Sequence, residues 1–354
     1  MNKRFYLIDI LRIPILFTIV WFHTYNFLYA EEYNATIWQS TWSHYLIYFM
    51  RFFSHGGQWI LSISCFLIGY KKLDEKHLIT YLTVFFIGIA TLTVGQSDQF
   101  LETFTFEWDI YHFLFINFLI ILVIQRMHLP NHLLAIIGSV VLFIPFWKFD
   151  FLFDNHSLLK KVLIGDFTAS GEGGWALLPW SGLTLLYYSI GNALRKQQLD
   201  WHSTPLLRKI FALLILFLVS SSSQIYFYPC PIGPGYYEHQ FKPPFFALVG
   251  VNLFLIIILQ LSAIERLNET LAKNKFVHII SNLNWNRSLA STYLIHLFSL
   301  FCFAWLLPFN SADKNFNFEL FDFVSIGGFF WAEAVSKILH QFYFRLIKKH
   351  TKVP

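Results

Sequence analysis

Apolar runs of roughly 20 residues recur from one end of this chain to the other, and each is long enough to cross the hydrocarbon core of a bilayer. Composition agrees with that reading. Of 354 residues, 56% are hydrophobic and only 13% are charged, where a soluble domain carries about 25% charged residues. The expected fold is an all-α polytopic membrane protein, a bundle of about ten transmembrane helices enclosing a polar cavity. The spans are expected near residues 8–29, 53–70, 77–95, 110–125, 132–149, 174–194, 209–228, 244–263, 288–308 and 321–342.

The connections set the topology. Alternate loops, "MNKR", "KKLDEKH", "QRMHLPNH", "RKQQLDWHSTPLLRK", "ERLNETLAKNK" and the tail "FRLIKKHTKVP", are rich in Lys and Arg. The opposite loops, such as "EEYNATIWQSTW" and "GQSDQFLETFTFEWD", are acidic or aromatic. The positive-inside rule then places both termini in the cytoplasm, and an integral protein of a bacterial inner (cell) membrane is expected. The net charge of +5 serves topology; no basic stripe or motif points to nucleic acid. Cys65, Cys230 and Cys302 have no repeating spacing, so neither a metal site nor a disulfide pair is expected. The first apolar run is longer than a signal-peptide core and contains Asp9 and Arg12, which argues for an uncleaved first span. "YPCPIGPGYYEHQFKPP" (228–244) reads as a structured external loop, and residues 38–55 as an amphipathic surface helix. One domain over 1–354 is expected, with no appended soluble domain.

Any chemistry must therefore be built into the bundle. The first span, "LIDILRIPILFTIVWFHTY", carries Asp9, Arg12 and His23. Arg12 and His23 are separated by about 16.5 Å along a helix axis and only roughly 20° around it, so they share a face. Asp9 lies one turn earlier and is placed to pair with Arg12. Ionisable groups inside a membrane are costly and normally face a cavity or a partner. The second span sets His55, Gln58, Ser62, Cys65 and Gly69 at helical spacing, a stripe that suits either a polar lining or close packing through small residues. The ninth puts Ser288, Thr292, His296 and Ser299 on one side, with Tyr293 adjacent. Glu333 and Lys337, four apart in the tenth, form either a neutralising pair or part of a site. Glu107, Asp109 and His112 gather near an external entrance.

These stretches resemble the acyltransferase-3 family, whose mark is Arg-x10-His after an "LD-x-LR" start. "GGQWILSISCFLIGYKK" resembles that family's second helix, and "LASTYLIHLF" its late helix, aligning Tyr293 and His296. Two departures stand out: Cys65 replaces a glycine, and "W-D-I-Y-H" stands where many members carry "W-S-L-x-x-E". "LLPWSGLTLLYYSIGNALRK" (177–196) would also suit the related transmembrane glucosaminide N-acetyltransferases.

The resemblance implies acyl transfer from cytosolic acetyl-CoA, or another acyl-CoA, to a hydroxyl of a surface glycan or lipid-linked sugar, with no metal. Arg12, with Asp9 and Ser62, is then expected to bind the donor, because a guanidinium recognises phosphate through a planar fork. His23 is expected to be the general base, its unperturbed pKa of about 6.5 suiting proton removal at neutral pH. Tyr293 and His296 are expected to line the same cavity. The rival class is a transporter or flippase of a lipid-linked saccharide, which would be marked by paired repeats and broken helices. Neither feature is evident.

Overall fold

A computed structural model describes residues 4–28, 56–71, 75–95, 110–143, 152, 158–163, 177–196, 265–306 and 318–350. Among these the chain is helical throughout, with no strand. The helices are α1 (Tyr6–Leu28), α2 (Gly56–Tyr70), α3 (Glu75–Gly95), α4 (Ile110–Met127), α5 (Asn131–Phe143), α6 (Leu158–Leu163), α7 (Leu177–Arg195), α8 (Glu265–Lys273), α9 (Lys275–Ser281), α10 (Asn284–Arg287), α11 (Leu289–Leu306) and α12 (Phe318–His350). Eight of the ten expected spans fall on helices; 209–228 and 244–263 lie outside the described residues, as do the loop 228–244 and the segment 38–55.

No helix among the described residues is long and apolar enough to cross a membrane. The reasons differ along the chain. α2 has 15 residues and α5 has 13, short of the roughly 20 a bilayer core requires. α12 has 33 residues but carries Glu333 and Lys337 mid-length and a basic end. The expected all-helical class therefore holds among the described residues, and the ten spans are not shown.

The chain divides into two compact units, one formed by residues 57–260 and the other by 4–56 with 261–354. In the first, α7 is the hub and α4, α5 and α6 pack on it, while α3 packs on α4. Small residues set the spacing there. A Cβ on Gly138 of α5 would lie 2.8 Å from the Gly182 carbonyl oxygen of α7, so the two backbones are nearly in contact. Gly69 of α2 lies equally close to Tyr188 and Asn192 of α7, and Gly191 of α7 to the Phe66 carbonyl. α4 ends in His128, whose φ of 52° turns the chain in the left-handed region. That conformation is tolerated by His more than by most residues and closes many helices. It delivers the chain at once into α5.

In the second unit α1 is central, in contact with α8, α9, α10, α11 and α12. Pro14 sits inside α1, where it removes one backbone donor. Thr18 donates to the Pro14 carbonyl at 2.8 Å, and Thr24 to that of Val20 at 2.8 Å.

Candidate functional site

The polar face of α1 meets a short, sharply turning segment, α9–α10, where Arg4, Asp9, Arg12 and Glu333 make their hydrogen bonds. Arg4 bonds the Asp9 carboxylate at 2.7 Å and also donates to the Ser281 carbonyl that closes α9. Asn268 of α8 clips the start of α1 from the other side, accepting from the Tyr6 N–H at 3.0 Å and donating to the Arg4 carbonyl. Arg12, 5% exposed, donates from Nη1 to the Asn286 carbonyl at 3.5 Å. The Asn286 amide in turn donates to the Asp9 carbonyl at 3.1 Å and the Ile280 carbonyl at 3.0 Å. Asp9 and Arg12 thus both serve the α1–α10 junction, and the carboxylate expected to meet Arg12 is held by Arg4.

The other end of α10 is held by α12. Its N-cap residue, Leu283, has no side chain that can cap. Glu333 supplies the acceptor from outside, taking the N–H groups of Asn284 at 2.9 Å and Trp285 at 3.2 Å. First-turn N–H groups have no partner inside their own helix, and a carboxylate there also complements the helix dipole. Glu333 was open between a pair with Lys337 and a site role; its oxygens are committed to this cap. Trp285 stacks on Phe329 with centroids 4.8 Å apart and donates from its indole to the Phe329 carbonyl at 3.2 Å.

Around this plug stand the expected residues of α11. His296 is buried, its ring 6.4 Å from that of Trp285 and 6.4 Å from that of Tyr293. Thr292 shares a hydrogen bond with Ser336 at 2.9 Å, and Ser288 with His340 at 2.7 Å, so with Ser299 three of the four stripe residues are bonded to α12. Ser299 accepts from the Trp331 indole at 3.2 Å. Three polar atoms of the junction, Ser281 Oγ, Asn284 Nδ2 and Asn286 Oδ1, are buried with no hydrogen-bond partner among the described residues. His23 lies on α1 eleven residues beyond Arg12, as expected; its side chain is outside the described residues.

Ser62 belongs to the other unit. It is 1% exposed on α2, in the stripe whose members Cys65 and Gly69 meet α7: Cys65 is buried and hydrogen-bonded with Thr184, and Gly69 lies against the α7 backbone. Close packing through small residues accounts for those two. His112 is buried on α4, while Glu107, Asp109 and His55 lie outside the described residues. No cluster of three metal-ligating side chains occurs among the described residues.

Sequence reasoning missed Arg4, Asn268 and Asn286. Arg4 stood in "MNKR" as a topology charge, and the two asparagines lay in or beside a polar loop without an apolar period. Only the density of Asn in "NETLAKNKFVHIISNLNWNR" signalled a segment built on side-chain-to-backbone bonds.

A family model described as "Heparan-alpha-glucosaminide N-acetyltransferase, catalytic" matches residues 4–231, more than half of the chain. The chain belongs to that family, and it is an acyl-transferring enzyme of the acetyltransferase kind. This overturns the resemblance to the acyltransferase-3 family. The third stretch behind that resemblance, in α11, lies outside the matched residues. The likeness of 177–196 to glucosaminide N-acetyltransferases lies inside them. No curated protein and no solved structure matches the chain.

Proposed function

We propose that the protein is a membrane-embedded acetyltransferase that moves the acetyl group of acetyl-CoA to the amino group of an amino sugar in a glycan, with both termini in the cytoplasm. The family match over residues 4–231 carries this reading. The printed family name concerns an α-glucosaminide nitrogen, which favours an amine acceptor over the hydroxyl expected from sequence. Apolar side chains left exposed support a lipid surrounding: Phe86 is 68% exposed and Ile136 57%, and Phe330, Trp331, Ile338 and Phe342 line up along α12. Soluble monomers rarely expose contiguous apolar faces on that scale.

In this reading the sugar nitrogen, as the free amine, attacks the thioester carbonyl. The C–N bond forms, the C–S bond breaks, and the CoA thiolate leaves with the electron pair. One proton must be taken from the nitrogen and one given to the sulfur. His23 is our candidate for the group that takes the first, since a neutral imidazole can accept it near pH 7. Arg12, beside Asp9, is a candidate partner for a donor phosphate. Tyr293 and His296 of α11 are candidates to face the reacting groups. Ser62 is the remaining candidate for donor contact. Buried polar atoms without partners cost stability unless something satisfies them, so the orphaned Ser281, Asn284 and Asn286 atoms support a polar ligand near α10.

The test is chemical. Purified protein in nanodiscs, given glucosamine-terminated oligosaccharide and acetyl-labelled acetyl-CoA, should yield acetylated product whose label survives mild alkali, because an amide does and an ester does not. Alkali-labile label would reassign the acceptor to a hydroxyl, and no transfer at all would remove the activity. His23→Gln keeps hydrogen-bonding capacity and loses proton acceptance, so it should lower turnover by about 10²–10⁴-fold. Near-normal turnover in that variant rules out His23 as the base.

A further inference from the structure

At one end of the α7 unit, three helices finish and a fourth begins within reach of one another. Each is tied to the last two turns of α7. α2 ends there because Gly69 and Gly191 let its backbone touch that of α7, which sets Lys71 beside this end. α4 ends there because the Gln125 side chain hydrogen-bonds the Tyr188 hydroxyl of α7, within range of the Arg195 charge. α5 begins there because Asn192 of α7 donates to the Asn131 side chain at 2.7 Å. The result is a rim with four exposed cations, Lys71, Arg126, Arg195 and Lys196, and with His128 and His132 exposed between them. Among the described side chains at this end, none is acidic.

One of these cations is held in place. Arg195 donates from Nη2 to the Asn192 side-chain Oδ1, while Asn192 Nδ2 donates to Asn131 Oδ1; both asparagines are buried, at 5% and 9% exposure. A cation in the last turn of a helix complements the helix dipole, and that accounts for Arg126 and Arg195 being basic. It does not account for a buried amide chain that fixes an exposed guanidinium. An ordered guanidinium loses little freedom on binding and presents a fork to phosphate oxygens.

We propose that this rim is the subsite for the phosphate-bearing nucleotide end of the acyl-CoA donor, its 3′-phosphate and diphosphate. The assignment rests on the donor reading above. It gives the nucleotide end exposed cations in addition to Arg12, which is 5% exposed. Four exposed cations at one end also raise the local concentration of an anionic donor.

The experiment measures displacement of labelled acetyl-CoA from the full chain in phosphatidylcholine nanodiscs by adenosine 3′,5′-bisphosphate and by pantetheine. In Arg195→Gln and in Lys71→Gln/Arg195→Gln, the bisphosphate should lose about tenfold or more in affinity, the range for a lost charge-assisted contact. Pantetheine, which carries no phosphate, should compete as before, and this also reports that the variant is folded. Arg195→Lys should fall between, keeping charge without the fork. Unchanged bisphosphate affinity in the double variant overturns the subsite. Unchanged bisphosphate affinity together with lost retention of phosphatidylglycerol also overturns it and makes the rim a lipid headgroup site. If wild-type protein binds no acetyl-CoA, the donor reading itself falls, a failure visible before any variant is made.

Discussion

Where α2 and α5 meet α7, almost nothing but backbone lies between the helices; where α1 meets the segment α8–α10, three charged side chains and two amides do the joining, and a carboxylate from α12 caps α10. The first unit places Gly69, Gly138 and Gly191 at its closest approaches and Ser62 and Cys65 among its buried small residues. The second spends Arg4, Asp9, Arg12, Asn268, Asn286 and Glu333 largely on backbone N–H and carbonyl groups. The difference follows from what each must pack. Long helices in contact over many turns gain dispersion from every ångström of approach, so small residues stabilise them. Short helices such as α9 and α10 have mostly unsatisfied ends, and side chains must satisfy those ends or the turn does not form. The first unit is therefore intolerant of added volume, and the second of lost polarity.

The largest effect tests the first half of that comparison. Gly191→Leu must place a side chain where the Phe66 carbonyl already lies, and Gly138→Val one against the Gly182 carbonyl. Backbone cannot swing aside as a flexible side chain can. Each substitution should cost at least about 3 kcal/mol, the upper range for overpacking. The protein should fail to elute as a single monodisperse peak after brief warming. Normal thermal behaviour in both variants would mean the helices are not held at this distance.

An intermediate effect tests the second half. Glu333→Ala leaves the Asn284 and Trp285 N–H groups without their acceptor and should cost about 1–3 kcal/mol, while Glu333→Gln retains one acceptor and should cost about half as much. The prediction is an ordering: wild type, then Gln, then Ala, in thermal midpoint. If Gln is as damaging as Ala, charge is what matters and Glu333 acts through an ion pair. Equal midpoints in all three would remove the cap altogether.

How far the sequence carried the reading follows the same division. Helices α2, α3, α4, α5 and α7 of the first unit, and α1, α11 and α12 of the second, were legible because a long apolar run announces itself locally, whereas the six-residue α6 was not expected. The small-residue stripe of α2 was legible too, though only the position of α7 decided that Cys65 and Gly69 pack. Helix α8 was read as a basic loop, and α9 and α10 fell between that loop and the next expected span, because helices of four to nine residues are too short to show an apolar period. The partners in the α10 junction were illegible for another reason. Glu333 caps a helix 48 residues away, and Arg4 closes one 277 residues away; such pairings exist only once the tertiary structure has formed. The face shared by Asp9 and Arg12 was visible, and its partner was not. The family was read wrongly because the resemblance rested on three short stretches, one of which, in α11, lies outside the residues 4–231 that the family model matches.

The smallest effect should have the opposite sign, and it separates glycines that are needed from glycines that are merely present. Gly327 and Gly328 of α12 have nothing within 4 Å of a built Cβ. Glycine in a helix interior costs roughly 1 kcal/mol relative to alanine, chiefly in backbone entropy. Gly327→Ala or Gly328→Ala should therefore leave stability unchanged or raise it by up to about 1 kcal/mol, where Gly138→Ala lowers it. The contrast isolates spacing from propensity, since the same atoms are added in each case to the middle of a helix. A thermal midpoint for Gly328→Ala that drops as far as that for Gly138→Ala would place a close neighbour beside α12, and the volume-intolerant surface would then extend to both units.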